Sequence, residues 1–347
     1  MKMKRFFSII LASALLCLLA GGYAGAVESW PPLPKAVRAM KSGPCISVET
    51  VTVPAWGEAD NATDNYYYAF QPRFKKPTCG FIFYPGGLVD PRAYAPSMRE
   101  IAEAGYLAVI VKMPGDLAIL ATERATDVIA QNPDIENWVI GGHSLGAVSA
   151  CIYVYNHPDA MKGLALWAGY PPSTHSITDY TGKVLSIYGT NDGGAAGIAA
   201  NNYLLPADTR SVLIQGGNHT YCGWYDTSPY PVQPDDGEAT ITHKKQQAIL
   251  DNATLVLLDE VSGKKPSICP VVAVLGKDAP AVTSLRQFRD NILAESAFGR
   301  KVIELYYGNA DSVNSALDRS PALRAVARRM LEIIAPMLGG KDSWAEG

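Results

Sequence analysis

Ser144 sits at the centre of Gly142, His143, Ser144, Leu145 and Gly146, a Gly-x-Ser-x-Gly run that follows the apolar residues 138–140 and precedes a helical pattern through Leu145, Val148, Ile152 and Tyr155. A serine on a sharp strand-to-helix turn takes a strained backbone, and the glycines two residues to either side leave room where side chains would collide. The hydroxyl then stands exposed, with the first N–H groups of the helix aimed at whatever it attacks. A hydroxyl is a poor nucleophile at neutral pH. It requires a neutral imidazole to take its proton and a carboxylate to hold that imidazole in one tautomer.

Both partners have candidates further along. Residues 185–193 form an apolar strand ending in a polar turn that carries Asp192, and residues 213–219 end on His219 just past the next strand. The order Ser144, Asp192, His219 places each group in the loop after a strand, where parallel sheets carry their functional residues. Asp179, Asp208 and Asp226 stand as substitutes for Asp192. Among the five histidines, His143 reads as part of the serine turn, His157 as a helix terminator and His243 as an exposed helical residue. Acyl transfer also needs N–H donors for the developing oxyanion. Leu145 is expected to supply one, and Gly87 or Leu88, in the turn after Tyr84 and Pro85, the second. Lys112 follows a strand and either reaches the cleft or is solvated. The Tyr- and Pro-rich residues 221–236 either wall the cleft or form a rigid surface loop.

The elements that must hold these groups alternate along the chain. Residues 46–53 and 66–70 read as an antiparallel opening pair. From residue 81 the pattern becomes strand, loop and helix: strands at 81–84, 107–111, 138–140, 163–167, 184–188 and 211–214, with helices over 98–104, 122–130 and 240–258. This predicts an α/β architecture, an eight-stranded, mostly parallel sheet with helices on both faces and the serine turn after the fifth strand. Residues 168–183 are too few for a large helical cap, so the site should be open.

The remaining chain bounds the function. The formal net charge of −3 gives no reason to expect a nucleic-acid partner. Residues 1–5 carry positive charge, residues 6–20 are apolar, and Ala24, Gly25 and Ala26 fit a small-x-small rule. A signal peptide cleaved after Ala26 and export are therefore expected, and loss of Lys2, Lys4 and Arg5 would take the net charge to about −6. Residues 27–44, with four prolines, read as an extended leader, residues 45–262 as the core domain and residues 263–347 as a helical extension. Five cysteines would survive cleavage, so at least one stays unpaired. Cys151 is expected as a buried thiol, and Cys222 and Cys269 as a bridge. Helices are expected over 284–294, 297–307 and 321–334. The last carries Leu323, Val326, Ala327, Met330, Leu331 and Ile334 on one face and Arg324, Arg328 and Arg329 elsewhere, which suits packing on its own domain or a weak membrane-surface contact. No His-x-x-x-His, Cys-x-x-Cys or Gly-x-Gly-x-x-Gly pattern occurs, so neither metal nor cofactor is expected.

Over residues 45–258 the chain resembles the α/β-hydrolase superfamily. The runs FYPGGLVDPRAY (83–94), VIVKMP (109–114), GGHSLG (141–146), LSIYGTNDG (185–193), GGNH (216–219) and DGEATI (236–241) are similar to a bacterial serine-hydrolase branch related to dienelactone-hydrolase-type enzymes. The resemblance implies the α/β-hydrolase fold, a Ser144, Asp192, His219 triad, and an oxyanion hole framed by Leu145 and Gly87 or Leu88. A histidine often precedes the oxyanion-loop glycine in this superfamily; here Tyr84 and Pro85 occupy that region. The runs LRQFRDNIL, FGRKVIELYY and SPALRAVARRM resemble a CFI-box region, with Pro270 and Val271 after Cys269 where that family has Phe and Ile. The expected activity is that of an exported serine hydrolase, a carboxylesterase for small-molecule esters forming an acyl-enzyme on Ser144. The alternatives are lactone or amide cleavage, and a non-catalytic binding or surface protein on the same fold.

Overall fold

The structure, a computed structural model, describes residues 29–56, 64–73, 75–228, 236–263, 269–276, 279–293 and 296–338. The expected signal peptide lies outside them, as do residues 229–235 of the loop after His219. Eight strands form one sheet: β1 (Ile46–Thr52), β2 (Tyr66–Pro72), β3 (Cys79–Tyr84), β4 (Leu107–Val111), β5 (Asn137–His143), β6 (Gly163–Trp167), β7 (Lys183–Gly189) and β8 (Arg210–Ile214). Their spatial order is β1-β2-β4-β3-β5-β6-β7-β8, with β2 antiparallel to β1 and β4 and every later pair parallel.

The central strands read as unbroken apolar runs because helices cover both faces. Phe81, Phe83, Val139, Trp167, Leu185 and Ile187 point to one side, under α2 (Ala95–Glu103) and α6 (His243–Ser262). Ile82, Ile140, Leu164 and Leu166 point to the other, under α3 (Arg124–Gln131) and α4 (Leu145–Asn156). Helix limits follow local chemistry. Pro96 starts α2 earlier than the apolar spacing suggested. The Thr242 side chain accepts the Lys245 N–H at the start of α6, and Gly263, at φ 64°, ends it. Between β6 and β7 the chain forms turns only, so no helical cap is present there.

Three expectations are corrected. Residues 29–44 are not a loosely packed leader. They contain α1 (Pro34–Ala39), whose Ala36 is fully buried, and they pair Trp30 with Val89 and Pro32 with Tyr225. Cys222 and Cys269 are not bridged, and all five cysteines beyond residue 26 are thiols. Cys222 is buried against Gln246 while the Cys269 thiol lies 3.1 Å from the Tyr306 hydroxyl. His243 is not exposed. Its ring is clamped between Tyr221 and Trp224, with centroids at 4.3 and 3.8 Å, and burial lowers its pKa to about 4. Short helices α5 (Ala195–Ala200), α7 (Pro270–Leu275), α8 (Pro280–Phe288), α9 (Ala297–Gly308), α10 (Ala310–Arg319) and α11 (Pro321–Leu338) complete the described chain.

The turn between β5 and α4 is set by contact rather than by hydrogen bonding. A Cβ on Gly146 would lie 2.0 Å from the Tyr84 carbonyl oxygen and 2.4 Å from that of Pro85. Both obstacles are backbone at the end of a central strand and cannot swing aside. Gly146→Ala should therefore cost about 3 kcal/mol or more in urea unfolding; a loss below about 0.5 kcal/mol would show the contact to be yielding.

Candidate active site

Ser144 links β5 to α4 with φ 54° and ψ −118°, a conformation a non-glycine residue adopts only when its surroundings impose it. Its N–H donates to the Trp167 carbonyl at 3.0 Å. A Cβ on Gly142 would come within 2.4 Å of the Gly146 backbone, so both glycines of the pentapeptide are sterically required.

Asp192 follows β7 by three residues and His219 follows β8 by five. The Asp192 carboxylate, fully buried, accepts from His219 Nδ1 at 2.9 Å through Oδ2 and from the Gly194 N–H at 2.7 Å through Oδ1. None of Asp179, Asp208 or Asp226 serves this histidine: Asp208 pairs with Lys183, Asp226 accepts from the Ser228 N–H, and Asp179 is exposed. The His219 loop is held from two sides. Asp236 accepts the N–H groups of His219 and Thr220 at 2.8 and 2.9 Å. Gln246 on α6 accepts from the Asn218 N–H at 3.0 Å and donates to the Asn218 carbonyl at 2.6 Å. Burial pulls the His219 pKa down, but the adjacent Asp192 charge and its hydrogen bond outweigh that pull, and the net shift is upward from 6.5. The other ring nitrogen, Nε2, is buried and has no hydrogen-bond partner among the described residues, so the Ser144 hydroxyl is not bonded to it in this arrangement.

His143 precedes the serine and stacks obliquely on His219, ring centroids 4.5 Å apart. Tyr94 Oη accepts the Gly86 N–H at 3.0 Å and lies 2.9 Å from His143 Nδ1. The hydroxyl proton is thus left for Nδ1, which places the imidazole proton on Nε2. Burial holds His143 well below the usual imidazole range, and the neighbouring His219 acts in the same direction. This chain of contacts joins the turn after β3 to the serine turn. Tyr94 and Asp236 fall within runs that carry the family resemblance, 83–94 and 236–241, but their spacing assigns them no role, and Gln246 is unmarked.

The expected oxyanion donors separate. Leu145 opens α4, and neither its N–H nor that of Gly87 donates to another group among the described residues. Gly87 lies against the Leu145 side chain, since a Cβ on Gly87 would sit 3.0 Å from Leu145 Cδ2. Leu88 is corrected: its N–H is consumed by the Asp116 carbonyl at 2.8 Å, and its φ of 58° turns it out of the row. Lys112 neither enters the cleft nor is solvated. It pairs with Asp116 at 2.6 Å and Asp64 at 3.6 Å, bracing the loop that fixes Leu88. The described part of the loop after His219 is strapped to the N-terminal segment, through Leu33 N–H to the Trp224 carbonyl and Asp226 N–H to the Pro31 carbonyl.

Residues 80–248 match the model described as the Alpha/beta hydrolase family. Among solved structures, the chain is similar to a Klebsiella pneumoniae protein assigned as a dienelactone hydrolase, at 15% identity and TM-score 0.46, over 62% of this chain and 99% of that one. It is also similar to Est1E from Butyrivibrio proteoclasticus, at 15% identity and TM-score 0.43, over 62% and 99%. A third is a mutant feruloyl esterase module from Clostridium thermocellum in complex with sinapinate, at 12% identity and TM-score 0.43, over 67% and 95%. No curated relative matches the chain. The fold is that of the α/β hydrolases.

Two measurements test the electrostatics and the hydrogen-bond chain. In a proton NMR titration the His219 ring should titrate above 6.5, and in Asp192→Asn below 6.5, because burial is then the dominant influence; an unmoved midpoint would remove Asp192 as its partner. Tyr94→Phe strands the Gly86 N–H and His143 Nδ1, and should cost about 1–3 kcal/mol in denaturant unfolding.

Proposed function

With residues 80–248 belonging to the alpha/beta hydrolase family, we propose that the chain is an exported serine hydrolase, a carboxylesterase acting on small-molecule esters through an acyl-enzyme on Ser144. The observation that carries this reading is the state of His219. One nitrogen is tied to a buried carboxylate, and the other is buried, unpartnered and next to the strained serine turn. A buried polar nitrogen left without a partner costs free energy, and a base that must accept a proton has a use for that vacancy.

In this mechanism His219 Nε2 takes the Ser144 proton as Oγ bonds to the ester carbonyl carbon. The carbonyl π pair moves onto oxygen, where the N–H groups of Leu145 and Gly87 receive it. Asp192 holds the resulting imidazolium and fixes its tautomer. Collapse of the adduct breaks the bond to the alkoxide, which leaves with the proton from Nε2. Water then repeats the sequence on the acyl-enzyme, releasing the carboxylic acid and restoring Ser144. His143, held neutral, keeps the positive charge on His219 alone.

The connection from β6 to β7, which carries no helical cap, supports small, accessible esters as substrates. The n-region, apolar run and small-x-small site in residues 1–26 support export.

Ser144→Ala should lower p-nitrophenyl acetate hydrolysis by about 10³-fold or more, and should abolish labelling by a fluorophosphonate probe. Undiminished hydrolysis would discard the assignment, and an unlabelled wild type would favour a binding role. Because the base works only when neutral and its pKa is raised, kcat/KM should fall as pH drops through a value above 6.5; a rate flat down to pH about 5 would exclude His219 as that base.

A further inference from the structure

Helix α11 packs with its less apolar side inward. Ala335 is buried, and Ala327, Leu331 and Leu338 are half-buried, a seam at helical spacing that meets α7, α8 and α10. Arg328 donates to the Val274 carbonyl and fixes this orientation. The adjoining face, about 100° round the helix, carries the larger side chains, with Leu323 46%, Val326 57%, Met330 56%, Ile333 60%, Ile334 40% and Met337 79% exposed. The sequence pattern suited burial of this stripe against the protein's own domain; the structure instead divides it, and turns its larger members to solvent. A helix that only had to pack on its own domain would bury the larger stripe.

The charges beside the stripe indicate what covers it. Arg329 lies on one flank and is in no ion pair among the described residues, whereas Arg324 lies on the packed side of the helix and pairs with Asp318 at 3.1 Å. Arg328 has its acidic neighbour Glu332 at 3.8 Å, on the side away from the stripe. Positions 323, 326, 330, 333 and 337 follow a heptad seam, so a second copy of the helix could in principle zip onto it. The residues flanking that seam are Ala322, Ala327, Arg329, Ile334 and Pro336, with no acidic group to receive Arg329, so a symmetric pairing gains no interhelical ion pair. Among the described residues no helix is long and apolar enough to cross a membrane. An apolar stripe edged by an arginine without an ion-pair partner, on a helix too short and too charged to span, suits an interface between water and anionic lipid.

We propose that α11 docks the protein on anionic phospholipid bilayers, lying in the plane of the interface with the Leu323 to Met337 stripe toward the acyl chains and Arg329 at the headgroups. The proposal does not depend on the chemistry at Ser144. The full chain and its Met330→Glu/Ile333→Glu variant share the same N-terminal segment, so any difference between them belongs to α11. In sedimentation with phosphatidylcholine vesicles containing about 30% phosphatidylglycerol, the variant's bound fraction should fall about tenfold relative to wild type. Arg329→Gln, on the exposed flank, should weaken binding about fivefold and reduce its sensitivity to added salt. This single change also serves if the double variant fails to fold, as judged by its thermal unfolding. The proposal is overturned by equal binding of wild type and both variants, or by equal binding to vesicles of phosphatidylcholine alone. It is also overturned by a concentration-dependent dimer that the double substitution dissociates while no vesicle binding is seen.

Discussion

The backbone of residue 146 lies against the carbonyl oxygens of Tyr84 and Pro85 so closely that no side chain fits between them. That contact brings the end of β3 onto the first turn of α4. At the same place the serine turn bends sharply, with Ser144 at φ 54°, and Gly87 lies against the Leu145 side chain. This steric fit between two neighbouring parallel strands joins the turn after β3 to the serine turn, and the Tyr94 hydroxyl, which accepts the Gly86 N–H and lies 2.9 Å from His143 Nδ1, ties the same two segments.

What was legible in the sequence is what depends on short-range pattern. The central strands announce themselves because burial on both faces demands unbroken apolar runs, and Gly142 and Gly146 because their spacing has a steric cause local to the turn. The order of Ser144, Asp192 and His219 could be read because each strand delivers its loop to the same edge of a parallel sheet. What could not be read depends on partners distant in the chain. Leu88 looks equivalent to Gly87 until Asp116, braced by Lys112, takes its N–H. His243 has the spacing of an exposed helical residue, but Tyr221 and Trp224 come from another loop to enclose it. Residues 29–39 look like an extended tether because no local period marks them; their structure is borrowed from β-bridges to Val89 and Tyr225.

The two adjacent imidazoles show how environment divides labour between identical side chains. Both are buried, and burial alone would keep both neutral. Only His219 faces carboxylates, Asp192 directly and Asp236 beyond, and its affinity for a proton rises in consequence. His143 faces a tyrosine hydroxyl and another histidine, and its affinity falls. A positive charge created in this pocket therefore settles on the ring that Asp192 can stabilise. The same division explains why Tyr94 belongs to the arrangement: a hydroxyl satisfies the neutral ring without offering it a charge.

The C-terminal helices sit apart from this chemistry. They cover α2 and the later turns of α6 together with the start of β8, through residues such as Glu103, Arg210 and Val256, whereas Ser144, Asp192 and His219 all follow the ends of strands. The lining that the extension shares with the domain includes none of Ser144, Asp192 and His219, and the stripe on α11 is exposed. Attachment through α11 and reaction at Ser144 thus make separate demands on the chain, because the side chains that would carry one contact none of those that would carry the other. The extension lies against Glu103, at the end of α2, and Arg210, at the start of β8, away from the loops that carry Ser144, Asp192 and His219, so a surface held by α11 would leave those loops unobstructed.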